Sequence, residues 1–425
     1  MLLVGDFIPK TLSVKLPPEF AGQLVLANLE GPICSGNLPK SNKVGVCLHT
    51  SQSLQVSCSS SESIDEQSNS SSRLRFAFTL ANNHMMDFCW EGVVQTQKFL
   101  NAARGETVGF ECVGFAGVGG DEESSQKPMI LEENGSRIAV FSCCERQFGM
   151  AAIGMPGCAV KGVWLYKAIQ EIKATGAADF VIVSCHAANE FSPWVSPELH
   201  DFYHSLIDVG ADVVHGHHAH VPQGYEEYRG KPIFYGLGNF VVKADDWGAF
   251  PHYHWSFVAR VVFGSGGLNW SIRPYSVLVT EGGICCSNSV QEEVQAYIAG
   301  VNRQFVSQDG QALLDPLWQE AACRLVPRVY AQSLRFPSLI PFRLTMKDRL
   351  RKLYFMLGDL FRIILGRERV TVRSRYYGKV FSNIFNCESH VETIRTALGI
   401  WSGQLPDLRT EETKRLAREM MEGVV

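Results

Sequence analysis

Gly210-Ala211-Asp212-Val213-Val214-His215-Gly216-His217-His218-Ala219-His220 is the stretch whose reading decides the fold. The apolar run Ala211–Val214 predicts a buried strand, and four imidazoles follow where that strand runs out. A strand end bordering a loop is where α/β folds place their chemistry, because the sheet fixes the backbone while the loop reaches a ligand. Four histidines in six residues are hard to account for by packing and point to a metal site. On an extended chain, His218 and His220 would present alternate imidazoles to one side.

Outward from this stretch, short apolar runs alternate with amphipathic ones from Leu2 to about Leu278. Strands are predicted at Leu2–Val4, Leu24–Ala27, Phe76–Leu80, Arg137–Ser142, Phe180–Ser184, Asp212–Val214, Ile233–Tyr235 and Phe257–Phe263. Helical patterns fall between them at Glu91–Ala103, Gly162–Thr175 and Pro197–Val209, the last opened by Ser196-Pro197 as cap and first turn. The class is α/β. Residues 50–72 are dominated by Ser, Gln, Asn and acids and read as a mobile surface insertion. The organisation is therefore an α/β domain over residues 1–282 and a mostly helical, basic region over 283–425.

With 425 residues the chain can bury a sizeable core without cross-links. Thirteen cysteines, an odd number with no Cys-x-x-Cys spacing, argue against a disulfide framework and a thiolate zinc site. The start at Met1-Leu2-Leu3-Val4-Gly5-Asp6 offers no signal peptide, and no apolar run reaches membrane-spanning length, so a cytoplasmic location is expected.

Five motifs read as parts of one site. Asp6 closes the first strand, and Glu30 follows the second in Asn28-Leu29-Glu30-Gly31-Pro32. Asn83, His84 and Asp87 fall within one helical turn after the third, so Asp87 can orient the His84 imidazole and His84 can act as a general acid. His186 ends a strongly apolar strand; alone it would read as a core histidine. With the terminal His218-Ala219-His220, these supply the mixed carboxylate, amide and imidazole set of a two-metal hydrolase.

The order Gly5-Asp6, Asn28-Leu29-Glu30-Gly31-Pro32, Ala81-Asn82-Asn83-His84-x-x-Asp87, His186, Gly210 to Val221 and Gly230-Lys231-Pro232-Ile233-Phe234-Tyr235-Gly236-Leu237-Gly238-Asn239-Phe240 resembles the CapA family of poly-γ-glutamate capsule biosynthesis proteins. The resemblance covers about Leu2 to Val242. It implies a calcineurin-like metallophosphoesterase fold, a four-layer α/β/β/α sandwich with its metal site at the strand ends. It implies Asp6, Glu30, Asn83, His186, His218 and His220 as residues holding one or two divalent ions (zinc, manganese or iron). His84, with Asp87, would be the acid or phosphate-orienting residue, while His217 would line the substrate pocket or stand in for His218. Asn239 would border that pocket, and Glu190 would meet a cationic or hydroxyl-bearing group.

Two departures matter. The wider fold usually carries a histidine two residues after the first aspartate, whereas Phe7 and Ile8 follow Asp6, which leaves one metal position poorer in ligands. The family often reads His-Trp-Gly-x-Glu where this chain has His186-Ala187-Ala188-Asn189-Glu190. The function expected from the resemblance is a metal-dependent hydrolase in capsule or extracellular polymer biosynthesis, of poly-γ-glutamate or polysaccharide type. A metal-bound water would attack a phosphoester or amide-like bond. The alternative is a non-hydrolytic component that keeps the fold to bind polymer or scaffold a synthesis complex. An anionic polymer or its precursor and capsule synthesis proteins are the expected partners.

Between Pro341 and Val380 eleven Lys/Arg stand against three acidic residues, about +8 in a chain of net charge −4. Met346, Leu350, Leu353, Leu357, Leu360 and Ile364 predict an amphipathic helix over Thr345–Leu365. Its stripe either packs on the α/β domain or a second subunit, the usual fate, or lies on an anionic membrane surface. No nucleic-acid motif accompanies the charge, and no nucleic-acid binding is expected.

Overall fold

The computed structural model describes residues 1–10, 13–58, 73–103, 108–242, 252–276, 278–280, 283–285, 288–306, 312–330 and 372–421. The chain runs β1 (Leu2–Phe7), β2 (Ser13–Leu16), β3 (Leu24–Leu29), β4 (Gln55–Cys58), β5 (Leu74–Thr79), α1 (Cys89–Ala102), β6 (Phe110–Ala116) and β7 (Val118–Gly119). A short α2 (Glu122–Ser125) leads to β8 (Met129–Glu133), β9 (Ser136–Cys144), β10 (Gly157–Cys158), α3 (Val163–Thr175), β11 (Phe180–His186), α4 (Pro197–Asp208) and β12 (Val213–His217). Then follow β13 (Pro222–Tyr228), β14 (Lys231–Leu237), β15 (Asn239–Val241), β16 (Trp255–Gly264) and β17 (Gly267–Ser276). Helices α5 (Asn288–Asn302), α6 (Leu314–Leu325), α7 (Val372–Asn386), α8 (Glu388–Trp401) and α9 (Glu411–Met420) end the described chain. All eight expected strands and the three helices expected between them are present.

Two mixed sheets stack face to face. The first has the order β17-β16-β1-β3-β5-β6, with β15 also paired to β1, and the second the order β13-β14-β12-β11-β9-β8. In each, the central strands are parallel, which requires helical crossovers and buries both faces. Residue alternation shows the layering. Leu3, Leu26 and Ala77 of the first sheet meet Ile138, Ile182, Val213 and Phe234 of the second in a shared core. Their neighbours Val4, Val25, Phe76 and Phe78 turn the other way, towards Val93 and Leu100 of α1. Phe141, Val181, Val183 and Val214 turn outward to Leu165 of α3 and Tyr203 of α4. The result is the expected four-layer α/β/β/α sandwich.

Under α1 the Phe76 and Phe78 rings stack at 5.3 Å and Phe110 meets both edge-on. Each such fully buried side chain contributes about 1.5–3 kcal/mol. Parallel strands β1, β3, β11 and β12 bring their carboxyl ends to one edge of the sandwich, where ligands of parallel sheets bind.

The reading of residues 50–72 as surface insertion fails in its first part. Gln55–Cys58 forms a parallel strand against Ser13–Leu16, with Leu54 and Val56 buried. Three apolar positions among many hydroxyls were enough to fill one face of a short strand, and the remainder of the insertion, from 59 to 72, lies outside the described residues. So does the basic helix expected over 345–365.

The C-terminal helices dock on the sandwich. Buried Gln304 accepts from Val195 N at 2.8 Å and donates to Gln223 O at 3.0 Å. Trp194 enters an apolar cluster with Leu317, Trp318, Ala397 and Leu416.

Candidate metal centre

Register alone brings the first residues together. Asp6 lies opposite Asn28 of β3 on one side and Asn239 of β15 on the other, while His186 pairs with His217 across β11 and β12. Asp6, Glu30, His186, His217, His218 and His220 are each no more than 2% exposed. Asp6 Oδ1 accepts from Asn28 Nδ2 at 2.7 Å and lies 3.2 Å from His217 Nδ1, and Oδ2 lies 3.3 Å from His220 Nδ1. Burial alone would raise the Asp6 carboxyl, but the His217 and His220 imidazoles hold it well below the usual carboxylate range. Burial disfavours a charged His220, yet Glu30 and Asp6 outweigh it and push the imidazole well above its ordinary value.

Glu30 Oε1 is 3.4 Å from His220 Nε2 and 3.9 Å from both His84 Nε2 and His186 Nε2. Among the described residues neither buried Glu30 oxygen accepts a hydrogen bond. A carboxylate taken out of water without hydrogen bonds is costly, and a cation is the usual compensation. Asn83 Oδ1 stands 3.1 Å from His186 Nε2, and Asn28 Nδ2 stands 3.1 Å from His186 Nδ1. Burial, then the charge of His218, keeps the His186 imidazole well below its ordinary pKa, so it is a neutral donor.

His215, which sequence reading passed over, sets the ring beside it. Its Nε2–H donates to Val4 O at 2.9 Å, so its Nδ1 must accept from His217 Nε2 at 3.4 Å. His217 Nδ1 is thereby turned to Asp6. A ligating imidazole commonly donates its other N–H in this way. Asn239 has a similar part: its amide oxygen lies 3.0 Å from His220 Nδ1 while its amino group donates to His220 O and Tyr253 O. It positions a ring from a fully buried place and does not border an open pocket.

The expected one-sided presentation of His218 and His220 does not occur. Their φ angles of +90° and +58° make a strained turn after β12 instead of an extended run. His220 points to Asp6 and Glu30. His218 points to Gln147 Nε2 at 3.0 Å and Glu145 Oε1 at 3.6 Å, and groups with Glu190. His217, instead of His218, is the ring against Asp6. Two sets of side chains could therefore each gather around a cation: Asp6, Glu30 and His186, and next to it Glu190, His218 and His220. Their mixed oxygen and nitrogen donors fit a divalent ion of the zinc, manganese or iron kind.

His84 and Asp87 are joined as expected, Nδ1 to Oδ2 at 2.7 Å, in a turn preceding α1. Three contacts escaped sequence reading. Lys43 Nζ pairs with Asp87 Oδ1 and lies 3.1 Å from His84 Nδ1. Leu48 N donates to Asp87 Oδ2 at 2.6 Å. Glu145 accepts from Ser389 Oγ at 2.8 Å and so ties the His218 side of the site to α8. A cavity of about 310 Å³ opens there, lined by Glu145, Ala188, Trp194, Ser389 and Glu392 among others.

Residues 15–244 match the family described as bacterial capsule synthesis protein PGA_cap. The chain is similar to a probable polyglutamine synthesis accessory protein of Mycobacterium tuberculosis, 32% identical over 38% of this chain and 44% of that protein. It is also similar to the capsule biosynthesis protein CapA of Bacillus anthracis, 33% identical over 38% of this chain and 39% of that one. The chain thus spans about two fifths of the length of the curated relatives it matches. Among solved structures, a hypothetical protein from Thermus thermophilus aligns with 64% of this chain and 97% of its own at 16% identity and a TM-score of 0.34, too distant to carry a functional argument.

Proposed function

Because the chain belongs to the bacterial capsule synthesis protein family, we propose that it is a metal-dependent hydrolase acting in capsule or extracellular polymer production on a phosphoester or amide-like bond. The observation that carries this reading is the buried meeting of Asp6, Glu30, His186, His217 and His220 at the strand ends, with both Glu30 oxygens lacking a hydrogen bond among the described residues. Asp6, Glu30, Asn83, His186, His217 and His220 would hold one divalent ion, and Glu190, His218 and His220 face a neighbouring position. Such an ion would supply Lewis acidity to the scissile group and to a water.

The rest is the work of this chain's own residues. The Nδ1–H of His84 is committed to Asp87, so its Nε2 faces the site, where a ring protonated at both nitrogens would give a proton to a leaving group or bind a developing oxyanion. Lys43 and Leu48 N fix Asp87, which keeps the imidazole in one orientation. The substrate in this reading is an anionic polymer or its precursor, and capsule synthesis proteins are its partners. Among the described residues no helix is long and apolar enough to cross a membrane.

A second reading, a component that binds polymer without cleaving it, draws on Phe7 and Ile8. Ile8 stands where the wider fold carries a histidine, both residues are buried, and Phe7 packs into the aromatic cluster with Phe76 and Phe78. Elemental analysis of the wild type beside an Asp6→Asn, His220→Ala variant separates the two. One or two equivalents of transition metal, lost in the variant, would support the hydrolase. A wild type that loads nothing at these residues after incubation with zinc, manganese and iron would overturn it in favour of the binding component.

A further inference from the structure

We propose a second metal site, for zinc or a cation of similar chemistry, formed by His200 and His204 of α4 with Glu226 of the edge strand β13. It shares no residue with the Asp6 centre and lies in the outer layer, between the second sheet and its covering helix.

His200 and His204 are spaced i, i+4, which places both imidazoles on one helical face. Their ring centroids are 4.0 Å apart, and both Nε2 atoms turn to the same oxygen: Glu226 Oε1 is 2.6 Å from His204 and 3.5 Å from His200. One donor atom from each residue falls within 4.8 Å of the others. The Tyr235 hydroxyl donates to that oxygen at 2.6 Å; burial alone would raise the Glu226 carboxyl, but the hydrogen bonds from His204 and Tyr235 outweigh it and hold the carboxyl below its ordinary value.

A second observation points to a cation. Asp201 Oδ1 lies 3.1 Å from His200 Nδ1. A carboxylate only accepts, so Nδ1 carries a hydrogen and the Nε2 edge of the ring is the one turned to Glu226. A carboxylate behind an imidazole that faces a cation is the arrangement recurrent in zinc sites. Both rings converge on one carboxylate oxygen, the second tilted at 41° to the first.

The three side chains are 15–20% exposed, so an ion has a way in and a water can complete a tetrahedral set. Zinc donors at about 2.0–2.2 Å from the ion sit roughly 3–3.6 Å from each other. His204 and Glu226 must therefore part by less than about 1 Å, a small shift for side chains partly in solvent. β13 ends the second sheet, and an ion here would fasten that edge to α4.

The test uses the full chain, stripped with a chelator and titrated with zinc alone, in an Asp6→Asn, His220→Ala background that removes a side chain from each of the two sets at the proposed catalytic centre. Bound zinc is counted by elemental analysis and its affinity read by calorimetry. One equivalent should bind, and either His204→Ala or His200→Asn should remove it or weaken it at least about 100-fold. Circular dichroism and the zinc-free unfolding midpoint identify any variant that has lost its fold, and X-ray absorption of the zinc-loaded Asp6→Asn, His220→Ala protein should show two imidazoles on the ion. No zinc bound in the Asp6→Asn, His220→Ala protein, or the same zinc bound after His204→Ala and His200→Asn in that background, would overturn the proposal. Failure of the proposed hydrolase would instead show as metal insensitive to the Asp6 substitution.

Discussion

At the scale of single residues, the His84 pair is the point where geometry can be turned into a rate. The 2.7 Å contact to Asp87 fixes which nitrogen faces the site, and the Lys43 ammonium neutralises the second Asp87 oxygen, which is otherwise buried. General acid catalysis contributes about 10²–10⁴-fold. His84→Ala should therefore lower kcat/KM by that factor on whichever phosphoester or γ-glutamyl amide proves to be turned over, with metal content unchanged. Asp87→Asn should cost about 10–100-fold, because an amide at that place no longer holds the ring or answers Lys43. Full turnover by His84→Ala would remove the role assigned to it. Lys43 was invisible in the sequence because nothing local marks it: it reaches the site from a loop, some forty residues before its partners, and only tertiary structure brings it there.

At the scale of elements, the strand ends were legible because parallel strands buried on both faces must be apolar throughout, so a polar residue that closes such a run stands out. Asp6, Glu30, Asn83 and His186 could be found in that way, and all four meet at one edge of the sandwich. What patterning did not carry is how the chain turns after a strand. The positive φ at His218 and His220 sends two nearby imidazoles to different partners, and β4 was missed because Leu54 and Val56 are too few to show a period. Close backbone approach was hidden as well. A Cβ on Gly5 would stand 1.7 Å from Gly238 O, the atom that accepts from Asp6 N at 3.1 Å. Gly5→Ala must push β15 away from β1, carrying with it Asn239 and hence His220. A loss above about 4 kcal/mol, in the exceptional range for one substitution, is expected together with loss of bound metal. Gly120→Ala, whose Cβ meets nothing within 4 Å, should change stability by no more than about 0.5 kcal/mol. Thermal unfolding and elemental analysis of the two variants check both; equal midpoints would mean that the β1–β15 contact does not hold the site.

At the scale of the whole molecule, the helical region is joined to the sandwich through acids that the sequence could not place, since charge counts say nothing of burial. Glu145 bonds Ser389, Glu198 N donates to Glu392 Oε1 at 3.3 Å, and Arg395 pairs with Glu198. Glu392 is 7% exposed, and burial, against the help of Ser196 and with the nearby charge of Glu145, lifts its carboxyl to about 7. A carboxyl raised in the folded state favours folding while protonated. Its contribution is whole below the unfolded value, near 4.5, and is lost as pH rises through about 7. The docking of α8 should therefore weaken between pH 4.5 and 7. Glu392→Gln, neutral at every pH, should match the wild type at the acid end and exceed it above pH 7 by at most about 3 kcal/mol. Unfolding midpoints of the two proteins at pH 4.5 and pH 8 measure the difference. A variant less stable than the wild type at pH 8 would show that an ionised Glu392 is held by its neighbours, and that α8 is secured by charge instead of by burial.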